Sequence, residues 1–309
     1  MEALEVYAAR LAGRHFARPA SRVASMGGGF YGRVFLAEGS DPRERVVVKL
    51  YLYPHLARRE ALQLQTLSAH ATLPMPQVYR VHDADEDVPA DALLMSFLPG
   101  INAGVTAVAD AAARRRIAGQ VVDNLLAYHS CAHPEGFGEL DDPAFVPCWA
   151  DFYRPKALAI AQKAAALHSA GELDADTLRT VDRAANGFDR IFEEPVPKAC
   201  LIHGDYNMWN VLLSADAGHA CGVIDPFNCR YADPELDLYQ LENANGPDFG
   251  LLALYRSRVR LSERFEIKNR FYTLFTEIMH FYDAHVPLKN SAIPQQAAQL
   301  SHALMHLGL

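Results

Sequence analysis

Hydrophobic and polar positions follow two different patterns along the chain. In roughly the first hundred residues, β-branched and aromatic runs such as 33–37 and 46–51 are separated by turn residues, which predicts strands joined by turns. One segment there, 56–70, has residues of one helical face at intervals of four, four and three, which predicts a helix. From about residue 104 the pattern becomes helical. The helices predicted there cover 111–129, 148–169 and 174–192, with several more after Asp233.

These elements predict an α+β fold of two lobes. Residues 1–98 form a small antiparallel-sheet N-terminal lobe with one key helix, and residues 99–309 form a larger, mainly helical C-terminal lobe. Met95, Phe97 and Leu98 lie where the last strand of the first lobe ends before Pro99-Gly100. We therefore expect them at the connection between the lobes.

A glycine motif lies between the first two predicted strands. Gly27, Gly29 and Gly32 form the pattern G-x-G-x-x-G-x-V. A dinucleotide-binding fold would place a helix after the last glycine, whereas the residues that follow here are typical of a strand. The glycines are therefore predicted to form the tip of a hairpin, where backbone N–H groups can approach phosphate oxygens closely. The pattern G-x-x-x-x-G-K-[ST] is absent, which argues against a P-loop NTPase.

A lysine and a glutamate follow at positions that favour an ion pair. Lys49 lies among apolar residues in a predicted strand, and Glu60 shares a helix face with Leu56, Leu64 and Leu67. Burying an unpaired carboxylate costs on the order of several kcal/mol, so Glu60 needs a cation. A strand lysine held by a helix glutamate is the arrangement that binds ATP phosphates in kinases. The alternative is that both residues are solvated, and the motifs on either side favour the pair.

The segment that starts at His203 carries the strongest chemical signal. Asp205 precedes Asn210 by five residues and Asp225 by twenty, which is the order of base, Mg²⁺-binding Asn and Mg²⁺-binding Asp in kinases. We predict Asp205 as the catalytic base and Asn210 and Asp225 as metal ligands, because their oxygens are hard donors suited to Mg²⁺. His203 is predicted to support the loop. A polar turn would explain Gly204, but it would not explain the intervals from Asp205 to Asn210 and to Asp225.

Several other polar or aromatic positions are weaker candidates. Asp233 and Glu235 either open the next helix, where acids suit the helix dipole, or contact a polar substrate. Trp209 is a further candidate for substrate contact. His129 and His133 could chelate zinc, but hydrogen bonding at a helix end is the preferred interpretation. Trp149, Phe152 and Tyr153 fall at roughly helical spacing and are interpreted as core.

Composition and charge argue against a membrane-spanning protein and against a nucleic-acid-binding protein. The chain has 309 residues, 50% of them hydrophobic and 21% charged, as in a soluble globular protein. It contains no apolar run near the ~18 residues of a membrane span, and a net charge of −8 argues against a nucleic-acid partner. Scattered cysteines and an acidic, amphipathic N-terminus predict a cytoplasmic protein.

On these motifs the chain resembles the aminoglycoside phosphotransferase superfamily of small-molecule kinases, which are relatives of protein kinases. Within that superfamily it is most similar to fructosamine kinases, through Asp225-Pro226, the acidic run 231–238, and Gly136-Phe137-Gly138 with Trp149 and Phe152. It departs from them at 206–209 and at 238–246. Fructosamine kinases have Leu-Trp after His-Gly-Asp, where this chain has Tyr206-Asn207. They also have a glycine-rich segment where this chain has residues 238–246.

The resemblance implies an α+β, protein-kinase-like bilobal fold, with ATP as phosphate donor, Mg²⁺ as cofactor and a small hydroxylated molecule as acceptor. The adenine of ATP is then expected at the backbone of Met95, Phe97 and Leu98. The acceptor it favours is a ketosamine, either a fructosamine or a ribulosamine, or a related sugar. An aminoglycoside-type antibiotic phosphotransferase and a nucleotide-binding pseudokinase remain open as alternatives. A protein-substrate kinase is disfavoured, because no D-F-G to A-P-E activation segment follows Asp225.

Overall fold

The structure is a computed structural model that describes residues 2–41, 43–286, 288 and 291–309. The helices are α1 (Glu2–Phe16), α2 (Leu56–Ser68), α3 (Ala111–Ser130), α4 (Trp149–Ser169), α5 (Ala175–Asn186), α6 (Phe188–Ile191), α7 (Gly246–Phe249), α8 (Leu251–Arg256), α9 (Phe265–Asp283) and α10 (Ile293–His306). The strands are β1 (Arg22–Gly28), β2 (Gly32–Glu38), β3 (Arg45–Tyr51), β4 (Val78–His82), β5 (Ala92–Ser96), β6 (Ile101–Asn102), β7 (Gly138–Glu139), β8 (Cys200–Ile202), β9 (Val211–Leu213), β10 (Ala220–Val223) and β11 (Arg230–Ala232). Short 3₁₀ segments cover Ala103–Val105, Met208–Asn210 and Pro234–Glu242.

The chain divides into two compact units. Unit 1 consists of Met1–Ala127 and Met208–Phe227, and unit 2 consists of Tyr128–Asn207 and Asn228–Leu309. Each unit is therefore built from two stretches of sequence. The boundary expected from the sequence, after Leu98, stays a prediction.

Unit 1 is organised around an antiparallel sheet of strand order β1-β2-β3-β5-β4. The central strand β3 is buried on both faces, because α1 covers one face and α2 covers the other. Val46 and Val48 pack with Leu11 of α1, whereas Val47 packs with Leu64 of α2. This is why β3 reads as a nearly continuous apolar run. The predicted sheet and its one internal helix are confirmed.

A second, small sheet of unit 1 contains part of the predicted site. β9 and β10 form an antiparallel hairpin, and β6 adds to β9. The turn between β9 and β10 includes Ala217, which has a positive φ of 53°. Asn210 directly precedes β9, and Asp225 follows β10 after Ile224.

Unit 2 is mainly helical, and its core is aromatic. Helices α4, α5, α9 and α10 enclose a cluster that includes Tyr153, Phe188 and Phe271. Trp149 is 2% exposed and stacks on Tyr153 with ring centroids 4.8 Å apart, so the interpretation of both as core is confirmed. A three-stranded sheet of order β7-β11-β8 completes the unit.

The predicted helix 174–192 is two helices, α5 and α6, which meet at Gly187. A Cβ at Gly187 would lie 2.5 Å from Leu309 Cδ1, the end of a flexible side chain that would have to shift to admit it. None of the helices in the described part of the chain combines the length and apolarity needed to cross a membrane.

Candidate active site

The predicted lysine–glutamate pair is present in unit 1. Lys49 on β3 and Glu60 on α2 are each 8% exposed, and Lys49 Nζ lies 2.6 Å from Glu60 Oε2. Tyr51, two residues further along the same face of β3, donates a hydrogen bond of 2.7 Å to the same oxygen. The buried carboxylate is therefore held by a cation and a hydroxyl. The sequence analysis did not identify Tyr51, although its period-two spacing from Lys49 placed both side chains on one face.

Lys49 also bonds a second carboxylate, that of Asp225. Burial by itself would lower the pKa of Lys49, but the negative charges of Asp225 and Glu60 outweigh burial and raise it. The ammonium group consequently remains charged between two carboxylates. The Asp225 side chain is 51% exposed, so this carboxylate is accessible to a ligand as well.

The backbone around Asp225 is tied to the segment that carries Asn210. The N–H of Ile224 donates to the carbonyl oxygen of Asn210 at 2.9 Å, and the N–H of Val223 donates to the carbonyl of Pro74 at 2.9 Å. Asp225 itself has a φ of 58°, a left-handed conformation that Asp tolerates better than most non-glycine residues. Both predicted metal ligands thus lie on neighbouring segments of unit 1, and an amide oxygen with a carboxylate is a donor set that suits Mg²⁺.

The glycine motif forms the tip of the β1–β2 hairpin, as expected. Gly27 has a φ of 105°, and a Cβ on Gly32 would lie 2.9 Å from the carbonyl oxygen of Leu50. Both positions therefore require glycine. At Gly29 the described residues leave open space around such a Cβ, so sterics alone do not demand glycine there. Arg33 donates to the carbonyls of Gly29 at 2.8 Å and Gly32 at 2.9 Å, which braces the loop.

The three residues predicted at the lobe connection lie at the end of β5. Met95 is buried within the strand, which ends at Ser96. The Phe97 ring faces the Arg45 guanidinium at 5.4 Å, and the Leu98 side chain lies beside Gly222 of β10. Adenine binding by this segment stays a prediction.

In unit 2, the loop that carries the predicted base is anchored by Asp237. This fully buried carboxylate accepts the backbone N–H groups of His203 at 2.8 Å and Gly204 at 2.7 Å. Gly204 has a φ of 82°, which explains the glycine. His129 bonds Asp237 through Nε2 at 3.3 Å and the Tyr255 hydroxyl through Nδ1 at 2.8 Å, consistent with hydrogen bonding at a helix end. The anchoring role of Asp237 was missed, because the sequence showed only its place in an acidic run.

The carboxylate of Asp205 is held by two side-chain amides. Its Oδ1 accepts hydrogen bonds from Asn207 Nδ2 at 2.7 Å and from Gln240 Nε2 at 2.8 Å. The backbone N–H of Asp205 lies 3.4 Å from His203 Nδ1, so His203 supports the loop. Neither Asn207 nor Gln240 was predicted, and no sequence motif marks Gln240.

The acidic residues proposed as substrate contacts bind other parts of unit 2. Lys268 on α9 is 2% exposed, and its Nζ lies 2.7 Å from both Asp233 Oδ2 and Glu235 Oε2. Tyr272 donates to Asp233 at 2.7 Å, and Ser262 donates to Glu235 at 2.7 Å through its hydroxyl. Both buried carboxylates therefore bind groups of the protein itself, and a substrate contact by either one stays a prediction.

Trp209, the third proposed substrate contact, is 50% exposed in unit 1. Its indole ring lies against Gly104, where a Cβ would come within 2.7 Å of it. Asn102 donates to its carbonyl oxygen at 2.6 Å. The ring is thus both supported and accessible.

Comparison with known proteins identifies the family. A family model described as "Phosphotransferase enzyme family" matches residues 22–260. The chain belongs to the phosphotransferase enzyme family. It is also similar to YcbJ, an uncharacterized protein of Escherichia coli (strain K12), with 25% identity over 237 residues that cover 75% of this chain and 77% of YcbJ.

Solved structures of similar fold include small-molecule kinases. A protein named "Putative fructosamine-3-kinase" from Haemophilus somnus 129PT shares 17% identity with this phosphotransferase at a TM-score of 0.68, covering 96% of each chain. A thermostable mutant of aminoglycoside phosphotransferase APH(4)-Ia shares 17% identity at a TM-score of 0.70, covering 97% of this chain and 99% of that one. The same enzyme in a ternary complex with ADP and hygromycin B gives 18% identity at a TM-score of 0.68, covering 95% and 96%. At these identities the likeness establishes the fold, and the predicted kinase-like α+β class is confirmed.

Proposed function

We propose that this phosphotransferase transfers the γ-phosphate of ATP, with Mg²⁺ as cofactor, to a hydroxyl group of a small molecule. The observation that carries the proposal is Lys49 in unit 1, which is held between the buried carboxylate of Glu60 and the accessible carboxylate of Asp225. A lysine fixed in this way is preorganised to bind phosphate oxygens, since it cannot turn towards solvent.

The glycine loop, the two predicted metal ligands and the predicted base have separate roles in the proposed reaction. The glycine loop donates backbone N–H groups to the phosphates, and Lys49 neutralises part of their charge. Asn210 and Asp225 would hold Mg²⁺, which when bound neutralises charge on the β- and γ-phosphate oxygens. Asp205 orients the acceptor hydroxyl and accepts its proton. Nucleotide binding by solved relatives, such as the APH(4)-Ia complex with ADP, supports the donor class.

For the acceptor, we favour a ketosamine or a related sugar. The motifs shared with fructosamine kinases and the likeness to the Haemophilus somnus protein support this choice. The half-exposed, supported ring of Trp209 offers a flat apolar surface to a sugar. An aminoglycoside is the second candidate, favoured by the APH(4)-Ia complex that contains hygromycin B.

The test is Mg²⁺-dependent release of ADP from ATP across a panel of acceptors. The panel contains fructosamines, ribulosamines, simple sugars, choline-like alcohols and aminoglycosides. We expect stimulation by one class, and we expect Asp205→Asn to lower kcat about 10²–10⁴-fold while leaving nucleotide affinity intact. Asp182→Asn, at an exposed position on α5, is the matched control and should retain wild-type turnover.

Two results would count against the proposal. If Asp205→Asn turned over at the wild-type rate, Asp205 would not be the base. If ATP bound with Mg²⁺ but no acceptor class increased ADP release, the pseudokinase alternative would take the place of the kinase.

A further inference from the structure

The carboxylate of the predicted base is held by two buried amide side chains. Asp205 Oδ1 accepts two amide N–H groups, from Asn207 at 2.7 Å and from Gln240 at 2.8 Å, all within unit 2. Both donors are buried, with Asn207 8% and Gln240 6% exposed. Hydrogen bonds to a carboxylate are stronger than those between neutral groups, and burial strengthens them further. The two bonds therefore fix the plane of the carboxylate.

The orientation of the Gln240 amide is determined by its other partners. Its Oε1 accepts from Asn243 Nδ2 at 2.5 Å and from Asn207 Nδ2 at 3.3 Å. The second hydrogen on Nε2 points to the Tyr239 hydroxyl at 2.9 Å. An amide offers two donors and two acceptor positions, and all four are used here. Turning the amide over would place its oxygen against the carboxylate and its NH₂ against that of Asn243, so only the observed orientation satisfies the network.

We propose that Gln240, together with Asn207, is a positioning residue that clamps Oδ1 of Asp205 and so fixes the carboxylate that accepts the acceptor's proton. This inference rests on the proposed function, in which Asp205 is the base. Because Oδ1 accepts both amide hydrogens, turning the carboxylate away would break bonds that the fold has formed. In the transfer step the acceptor oxygen forms a bond to the γ-phosphorus and its O–H proton passes to the Asp205 carboxylate. ADP leaves with the electron pair of the broken P–O bond.

Gln240→Met is the direct test, because methionine keeps the length and flexibility of the side chain but has no amide. We expect kcat to fall about 10–100-fold, the range associated with misplacing a catalytic group by about 1 Å. The acceptor KM and the Kd for Mg²⁺-AMP-PNP should be unchanged, because in this proposal Gln240 affects the reaction only by positioning Asp205. Gln162→Met, at an exposed position on α4, is the matched control and should behave as wild type.

The decisive comparison is made in the Asp205→Asn background. If Gln240 acts through the base, adding Gln240→Met to Asp205→Asn leaves the residual rate unchanged, because the clamped group has already been lost. A merely structural role predicts a further fall by the same factor as in wild type. That result, or a Gln240→Met kcat equal to that of Gln162→Met, overturns the inference.

A milder variant covers the case in which Gln240→Met does not fold. Asn243→Ala removes the group that holds Gln240 Oε1 and leaves both donors to Asp205 in place, so it should lower kcat less than Gln240→Met and should again have no effect in Asp205→Asn. An unchanged kcat in Asn243→Ala would count against the clamp. Failure of the proposed function can be told apart from failure of the Gln240 clamp. In the first case the wild-type protein would show no acceptor-stimulated ADP release at all.

Discussion

At the scale of single residues, Lys49 and Glu60 of the candidate site form a buried ion pair in which each charge depends on the other. Glu60 is buried, and its burial raises its pKa, while Lys49 and Tyr51 favour its ionised form. The residue that would bind phosphates therefore also supports the fold. Removing either partner should have consequences for both activity and stability.

Lys49→Met should abolish most turnover and destabilise the protein in a pH-dependent way. At pH 8 the buried Glu60 would lose its counter-ion, at a cost of about 3–5 kcal/mol in the free energy of unfolding. Without the lysine, the pKa of Glu60 in the folded state lies above its unfolded value, so the penalty is absent below the unfolded pKa and grows as pH rises through the folded pKa. Urea unfolding at pH 8 and pH 5 should therefore show a smaller difference from wild type at pH 5.

The double variant Lys49→Met, Glu60→Gln supplies the control, because it removes the carboxylate along with the cation. At pH 8 the double variant should be less destabilised than Lys49→Met, and its destabilisation should not change between pH 5 and pH 8. Lys198→Met, at an exposed position, should match wild type. A pH-independent penalty in Lys49→Met would show that the ion pair is not its origin.

At the scale of elements, the start of α5 is fixed by one polar residue. Asp174 caps α5: its Oδ1 accepts the N–H of Thr177 at 2.8 Å, and its Oδ2 accepts the Thr177 hydroxyl at 2.6 Å. Burial opposes ionisation of this carboxyl, but the hydrogen bonds from Thr177 prevail and lower its pKa. The cap explains why the predicted start of this helix was accurate.

Asp174→Ala should lower the free energy of unfolding by about 1 kcal/mol at pH 7, the usual contribution of an N-cap. Because the folded pKa lies below the unfolded one, the ionic part of this contribution is present above the unfolded pKa and is lost as pH falls through the folded value. Asp182→Ala on the exposed face of the same helix should change stability by less than about 0.5 kcal/mol. Equal effects of the two variants in chemical denaturation would contradict the cap.

At the scale of the whole molecule, nucleotide binding should raise the free energy of unfolding. A nucleotide that binds only the folded protein stabilises it by about 2.7 kcal/mol at a hundred times its Kd. We expect AMP-PNP to raise the Tm more with Mg²⁺ than without it, because Asn210 and Asp225 would hold the ion with the phosphates.

Asp225→Ala should abolish the Mg²⁺-dependent part of this rise. Asp248→Ala, at an exposed position in unit 2, should retain it. Thermal denaturation with AMP-PNP, in the presence of Mg²⁺ or of EDTA, measures the Mg²⁺-dependent and the Mg²⁺-independent parts of the rise in Tm. An undiminished Mg²⁺ effect in Asp225→Ala would remove that residue from the metal site.

The sequence by itself determined the features that depend on local spacing. Alternation and turn residues predicted the sheet of unit 1, and four-residue spacing placed Glu60 on an apolar helix face, which made a cation necessary. The intervals from Asp205 to Asn210 and Asp225, which lie on one short stretch of chain, predicted a phosphotransferase, and the family match confirms that class. The roles of the three side chains stay predictions.

Only the tertiary structure decided which distant groups meet. Gln240 lies thirty-five residues after Asp205, and Lys268 lies thirty-five residues after Asp233, so no local period links them. Asp233 and Glu235 could face a substrate or the protein interior on the sequence alone, and packing against α9 placed them beside Lys268. Helical and strand periods specify which face of an element is buried. The partner of a polar group on that face is set by how the elements pack.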